Sequence, residues 1–219
     1  MHRWALIFLL LTAAGGCRIR GGLSASVAGS GQAKTETRQI GDIDSVRFDG
    51  AGAVVATLGQ PPALKITADD NLLPLLETTV VERELRIRPK QSISPRTPIR
   101  IELACQNLES FTCTGAGEHE LRNVANEKLR IELSGAGTVR VSGTSERLDL
   151  VVSGAGTIDT SALQAKQVHV EASGAVELKV AASEKITGTL SGACSLTYSG
   201  APKLEIKRNP TSTVRRAGD

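Results

Sequence analysis

Ser134-Gly135-Ala136-Gly137-Thr138-Val139-Arg140-Val141 is echoed one interval later by Ser153-Gly154-Ala155-Gly156-Thr157-Ile158-Asp159-Thr160. The same turn recurs as Thr114-Gly115-Ala116-Gly117, Ser173-Gly174-Ala175-Val176 and Ser191-Gly192-Ala193-Cys194. The near-constant interval between Thr114, Ser134, Ser153, Ser173 and Ser191 marks an internal repeat. Asp49-Gly50-Ala51-Gly52 reads as an earlier, diverged copy. Aligned on the turn, the residues one place before it are Cys113, Leu133, Val152, Ala172 and Leu190, and those three places before are Phe111, Ile131, Leu150, Val170 and Gly188. Five places after the Ser or Thr come His119, Val139, Ile158, Leu178 and Leu196, and seven after come Leu121, Val141, Thr160, Val180 and Tyr198.

That alternation has a period of two, which is the period of a strand with one buried face. Each repeat therefore reads as strand, tight glycine corner, strand, second corner. A single repeat cannot bury its own apolar face, but stacked repeats can. The expected fold is all-β: a right-handed parallel β-helix, or β-solenoid, with short rungs of about 18–20 residues. The corner glycines (Gly115, Gly117, Gly135, Gly137, Gly154, Gly156, Gly174 and Gly192) are assigned a structural role, permitting positive φ and close contact between rungs. Outward positions carry Glu120, Arg140, Asp159 and Lys179 in one column and Arg130, Asp149 and His169 in another. Such columns read as solvated charge ladders that set the register. Asp69-Asp70, followed by Leu72, Leu73, Leu75 and Leu76, predicts a short capping helix near the N-terminal end, limited by Pro74.

Ile43-Asp44-Ser45-Val46-Arg47-Phe48-Asp49-Gly50-Ala51-Gly52, then Leu64-Lys65-Ile66-Thr67-Ala68-Asp69-Asp70-Asn71-Leu72-Leu73, then Leu85-Arg86-Ile87, lead into the serine-glycine-alanine-glycine copies. Together these segments resemble the head GIN domain, the family labelled as the head of an auto-transporter adhesin. The resemblance covers residues 40–207 and implies the same parallel β-helix. It carries no established biochemical activity, and its adhesin label rests on fold analogy. The chain departs from the pattern at Val176 and Cys194, where the last glycine of the corner is replaced and a wider corner is expected.

The ends of the chain read differently. Met1 to Arg3 is a short basic start, and Trp4 to Leu11 is an apolar run too short to span a bilayer. Ala14-Gly15-Gly16-Cys17 then resembles a bacterial lipobox. Residues 1–16 are thus expected to be a signal peptide, and Cys17 the lipidated first residue of the mature chain, the alternative being a signal cut elsewhere and a soluble periplasmic product. Residues 17–39 read as anchor and flexible tether, 40–207 as the domain, and 208–219 as a polar tail. The expected location is the cell envelope; by resemblance to proteobacterial lipoproteins, Arg18 rather than Asp after the cysteine implies anchoring in the outer membrane of a Gram-negative envelope.

Composition narrows the function. The 219 residues hold 26 Lys plus Arg against 23 Asp plus Glu, a net charge of +3. No basic stripe appears, so nucleic acid is not an expected partner. Aromatics make up 2%, and only Phe48, Phe111 and Tyr198 lie beyond the leader, too few for a stacking platform for sugars or bases. His119, between Glu118 and Glu120, falls in the inward column and reads as a core residue. His169 and Asp149 could form a base and its orienting partner, but no nucleophile shares their column. Two histidines beyond the leader do not suggest a zinc site, and the glycine turns lack the helix that a phosphate loop requires. No catalytic residue, metal or cofactor is therefore assigned. Cys105 and Cys113 have inward parity and could pair as a disulfide or serve as core filler; Cys194 reads as unpaired. Two functions remain. One is a non-enzymatic envelope lipoprotein for adhesion, protein interaction or structure, whose partners would be the membrane and an unknown envelope or extracellular protein or glycan. The other is a polysaccharide-active β-helix enzyme, a lyase or hydrolase.

Overall fold

The computed structural model describes residues 26–218, so the expected signal peptide (residues 1–16) and the lipidation site Cys17 lie outside it. In chain order the strands are β1 (Val27–Ala28), β2 (Ala33–Arg38), β3 (Ser45–Asp49), β4 (Ala53–Leu58), β5 (Ala63–Asp69), β6 (Leu76–Val81), β7 (Glu84–Pro89), β8 (Ile93–Ser94) and β9 (Arg100–Cys105). There follow β10 (Ser110–Gly192), β11 (Ser195–Ser199), β12 (Lys203–Arg208) and β13 (Thr213–Arg216). β10 is one long run of extended backbone that contains four of the five corners, and its copies pack on one another. A Cβ added at Gly135 would lie 2.3 Å from the carbonyl oxygen of Gly115, and one at Gly154 would lie 2.3 Å from that of Gly135. The diverged copy, far away in sequence, joins the same stack. Ser45 to Asp49 pair in parallel with Ser110 to Thr114, and Gly50 N donates to Thr114 O at 2.9 Å.

The alternation of the sequence accounts for the core. Phe111, Ile131, Leu150 and Val170 are each fully buried, as are Val139, Ile158, Leu178 and Leu196 in the next inward column. Val176 and Cys194, which replace the last corner glycine, are 2% exposed and join this core. Gly154 has φ +119° and Gly135 φ +130°, in the region that favours glycine, so the first glycine of the corner answers both to conformation and to contact.

The all-β class holds, but the closed, right-handed parallel β-helix does not form. The main sheet is mixed. Its strand order is β2-β5-β9-β4-β10-β3-β7-β6, with β11 and β12 paired to β10 and β13 to β11. β5 runs antiparallel to both β2 and β9, and β6 runs antiparallel to β7. Each antiparallel pair involves a strand of the segment between Gly52 and Thr114, which carries no glycine corner: β6 and β7 form a hairpin, whereas β5 runs against the distant β9 and β2. β6 and β7 are joined by Glu82 and Arg83 at φ 49° and 65°, the positive pair that a two-residue hairpin turn needs.

The expected capping helix is absent as well. Residues 73–75 make only a single 3-10 turn, and β6 begins at Leu76. Pro74 withholds the backbone donor, and Thr78-Thr79-Val80-Val81 is β-branched throughout, which favours a strand. Leu72, Leu73 and Leu76 are still buried at 0%, 0% and 3% exposure, so the leucines cover the core without a helix to carry them.

Two other expectations change at the ends. Residues 33–38, expected within the flexible tether, form β2, held antiparallel along β5. Residues 213–216, expected within the polar tail, form β13, which stacks in parallel on β11. The turn between β12 and β13 covers the last glycine corner: Thr211 Oγ1 and Ser212 Oγ donate to Gly192 O at 2.6 and 3.0 Å.

Candidate binding groove

The second corner of each repeat varies in length. Seven residues separate Leu121 from Leu129, six separate Val141 from Leu148, and seven separate Thr160 from Val168. Only five separate Val180 from Ile186, and five separate Tyr198 from Leu204. These endpoints occupy equivalent stacked positions, since Val180 pairs with Tyr198 and Ile186 with Leu204. The last two corners therefore cut across with less chain, and a groove of about 710 Å³ opens beside the longer ones. Its volume falls in the usual range for a ligand site, roughly 300–1,000 Å³.

Small side chains line the recessed part: Ala181, Ala182 and Ser183 from one repeat, Ser199, Gly200 and Ala201 from the next. The taller corners contribute Thr144, Ser145 and Glu146, then Gln164, Ala165 and Lys166, with Asn126 beyond. Lys166 Nζ and Glu146 Oε2 form an ion pair at 2.7 Å, half exposed on both sides. The hydrogen bond to Glu146, then its charge, raises the Lys166 pKa above the ordinary value. Ser145 is buried and donates its hydroxyl to Arg147 O at 3.0 Å, and Asn126 Nδ2 donates to Leu108 O at 2.7 Å. Both side chains serve the corner backbone, while Thr144, Gln164 and Ser183 are exposed and present polar atoms to the groove. The groove can therefore exchange hydrogen bonds with an extended ligand and pack against its thin parts. No histidine or cysteine lines it, and nothing in it pairs a nucleophile with a base.

The residues with conspicuous chemistry are not gathered at one place. His119 is 1% exposed, with its ring 6.1 Å from that of Phe48 and 5.5 Å from that of Phe111, centroid to centroid. Its Nε2 lies 3.0 Å from Cys113 Sγ, and Nδ1 has no partner. Burial pushes the imidazole down to about 4, so it is neutral and inaccessible. Burial, then the charge of Asp49, pushes the Cys113 thiol up to about 12, and burial alone pushes Cys105 up to about 11. Cys105, Cys113 and Cys194 are all free thiols, so no disulfide joins the first two. They act as small hydrophobes in the core.

His169 does not meet Asp149. Its Nδ1 lies 3.0 Å from Thr187 Oγ1 and its Nε2 3.3 Å from Glu171 Oε1. Asp149 is instead held by Arg147 at 3.3 Å and Lys128 at 3.5 Å. In the other charged column Asp159 sits near Lys179 and Arg140. Burial pushes its pKa up, but hydrogen bonds from Ser161 and those two charges outweigh burial and leave it lowered. Among the described residues no group of three or more His, Cys, Asp or Glu is placed to hold a metal ion. The groove itself escaped sequence reasoning. Its only trace there is the shortened interval between the copies at Ser173 and Ser191.

Known proteins agree with this architecture. The family described as "Putative auto-transporter adhesin, head GIN domain" matches residues 42–202. A crystal structure of a "putative adhesin" from Bacteroides fragilis NCTC 9343 superposes with a TM-score of 0.71 at 19% identity, covering 87% of this chain and 100% of its own. Another "putative adhesin", from Parabacteroides merdae ATCC 43184, gives a TM-score of 0.52 at 17% identity, covering 88% of this chain and 99% of its own. At these identities the likeness is one of fold. Among curated proteins none matches the chain. With the match spanning both the diverged first copy and the full set of glycine corners, the chain belongs to the auto-transporter adhesin head GIN domain family.

Proposed function

We propose that the chain is a binding module of the cell envelope. It is exported by residues 1–16, anchored through a lipid on Cys17, and acts by contact rather than by catalysis. The groove carries this reading. It is large enough for a ligand and lined by small and hydrogen-bonding side chains, yet its hydroxyls are not paired with a base: Ser145 Oγ donates to Arg147 O, and Glu146 is held by Lys166. The family's adhesin label supports a place at the envelope or cell surface.

Two measurements test the proposal. Cys17→Ser is expected to abolish palmitate labelling and release the protein from membranes; labelled, membrane-bound variant protein would remove the anchor. Ser183→Trp fills the groove from an exposed position. It is expected to leave the melting temperature unchanged and to reduce retention of the fluorescently labelled full chain on whole envelopes. Unchanged retention would show that contact is made elsewhere, and polysaccharide depolymerisation by the wild type would favour an enzyme.

A further inference from the structure

The last repeat is open on one side. Among the described residues β12 pairs only with residues 185–190 of β10, and β13 pairs only with β11. Asn209 N donates to Leu190 O. By strand alternation the odd-numbered residues of β12 turn their backbone groups toward β10, and Leu204 and Ile206 turn theirs outward. The inward side chains at this end are also uncovered. Leu204 is 38% exposed, whereas Ile186 stacked beneath it is fully buried, and Ile206 and Val214 are only partly buried. Charge at this end is mostly positive. Among the described residues from 203 onward, Lys203, Lys207, Arg208, Arg215 and Arg216 stand against one acid, Glu205. That acid is already held by Lys185 at 2.7 Å and Lys203 at 2.9 Å, and those two hydrogen bonds pull its pKa down to about 2. Among the described residues Lys207 has no carboxylate within ion-pair distance, and it is exposed.

We propose that β12 is a docking edge for an extended peptide from another protein, one that alternates apolar and acidic residues and adds a strand to the sheet. Its backbone would pair with the outward groups of Leu204 and Ile206, its apolar side chains would cover those two residues, and a carboxylate would face Lys207. A second copy of this chain is disfavoured as occupant, because two such ends would bring like charges together. An anionic glycan could meet the charges but could neither extend the backbone ladder nor cover the apolar row. No residue of β12 lines the groove, although Ala201, two residues before the strand, does; the proposal does not depend on the groove's function.

The test uses the full chain and a fluorescent synthetic peptide that alternates valine with glutamate. The peptide is expected to bind and to slow amide exchange at Leu204 and Ile206. Lys207→Glu is expected to weaken it by about fivefold, in keeping with reversal of one cross-strand charge pair. The same variant should bind the corresponding valine–lysine peptide better than wild type does. Ser183→Trp should change none of this, which separates failure of this proposal from failure of the groove. Binding without amide protection, or equal displacement of the peptide by heparin, would assign the end to polyanions in general and overturn the proposal. No binding of the peptide would overturn it as well.

Discussion

His119 is a titratable group shut in a core with one nitrogen unpartnered, and this has a thermodynamic consequence. Its pKa is near 4 in the folded chain, against 6.5 in the unfolded one. Between those values the unfolded chain binds more protons, so stability falls as pH falls. The full loss is about 3 kcal/mol, complete once pH drops below the folded value. Glu205 works in the same direction but later: its pKa is lowered from 4.5, so its contribution is lost only as pH falls below that. A urea-melt series from pH 6.5 to 5 should therefore show a decline that His119→Leu removes. A decline of equal slope in the variant would mean that His119 is hydrated or charged in the native state.

Asp69 shows the opposite use of a buried charge. It is fully buried and accepts hydrogen bonds from the backbone of Gly31, Arg96 and Thr97 and from the Thr97 hydroxyl. Burial pushes its pKa up, but these donors outweigh burial and hold it below the ordinary value. Gly29 packs on that carboxylate, and an added Cβ would stand 2.0 Å from Asp69 Oδ2 and 2.8 Å from Arg96 N. As part of a flexible tether, Gly29 would tolerate any side chain; in the folded chain Gly29→Val should lower the melting temperature clearly. Gly41→Val is the control, since nothing lies within 4 Å of its added Cβ. Equal melting temperatures for the two variants would release the N-terminal segment from the fold.

At the scale of the element, strand parity decides what a side chain contributes. Leu150 is fully buried, whereas Arg130 pairs with Glu132 at 2.6 Å with both side chains a third or more exposed. Leu150→Ala should cost roughly 2–5 kcal/mol as a core truncation, and Arg130→Ala less than about 1 kcal/mol as loss of a solvated pair. Comparable losses in urea melts would place one of these residues on the wrong face. The hairpin of β6 and β7 shows where parity stops being informative. Its alternation is readable, but Glu82-Arg83 is not a sequence expected to take two positive φ values. Arg83 is fixed there by Asp44, at 2.6 Å from a distant part of the chain.

Across the whole molecule, the repeats support one another through the glycine column. Gly154 lies against Gly135, and Gly174 in turn lies against Gly154, with an added Cβ 2.1 Å from its carbonyl oxygen. Gly154→Val would therefore press on the repeat below and strain its own backbone, costing on the order of 1–3 kcal/mol from φ alone. Because stacked repeats share interfaces, hydrogen exchange should quicken in both neighbouring copies and not only at residue 154. Faster exchange confined to the substituted corner, with an unchanged melting temperature, would mean that the corners do not transmit load.

The repeat, its inward columns, the strand class and the burial of His119 all follow from the one-dimensional pattern, because a period of two and a regular glycine turn are local properties of the chain. The corner column was readable for the same reason, down to the diverged copy at Asp49 that stacks on Thr114. The direction of the strands between Gly52 and Thr114 was not, since antiparallel and parallel pairing share one hydrophobic alternation and differ only in how distant segments meet. Nor was the ordering of residues 33–38 and 213–216, whose polar composition resembles a linker until β5 and β11 offer an edge. The groove belongs with these. It is made by the shortening of two corners, a difference that becomes a cavity only when the repeats are stacked side by side.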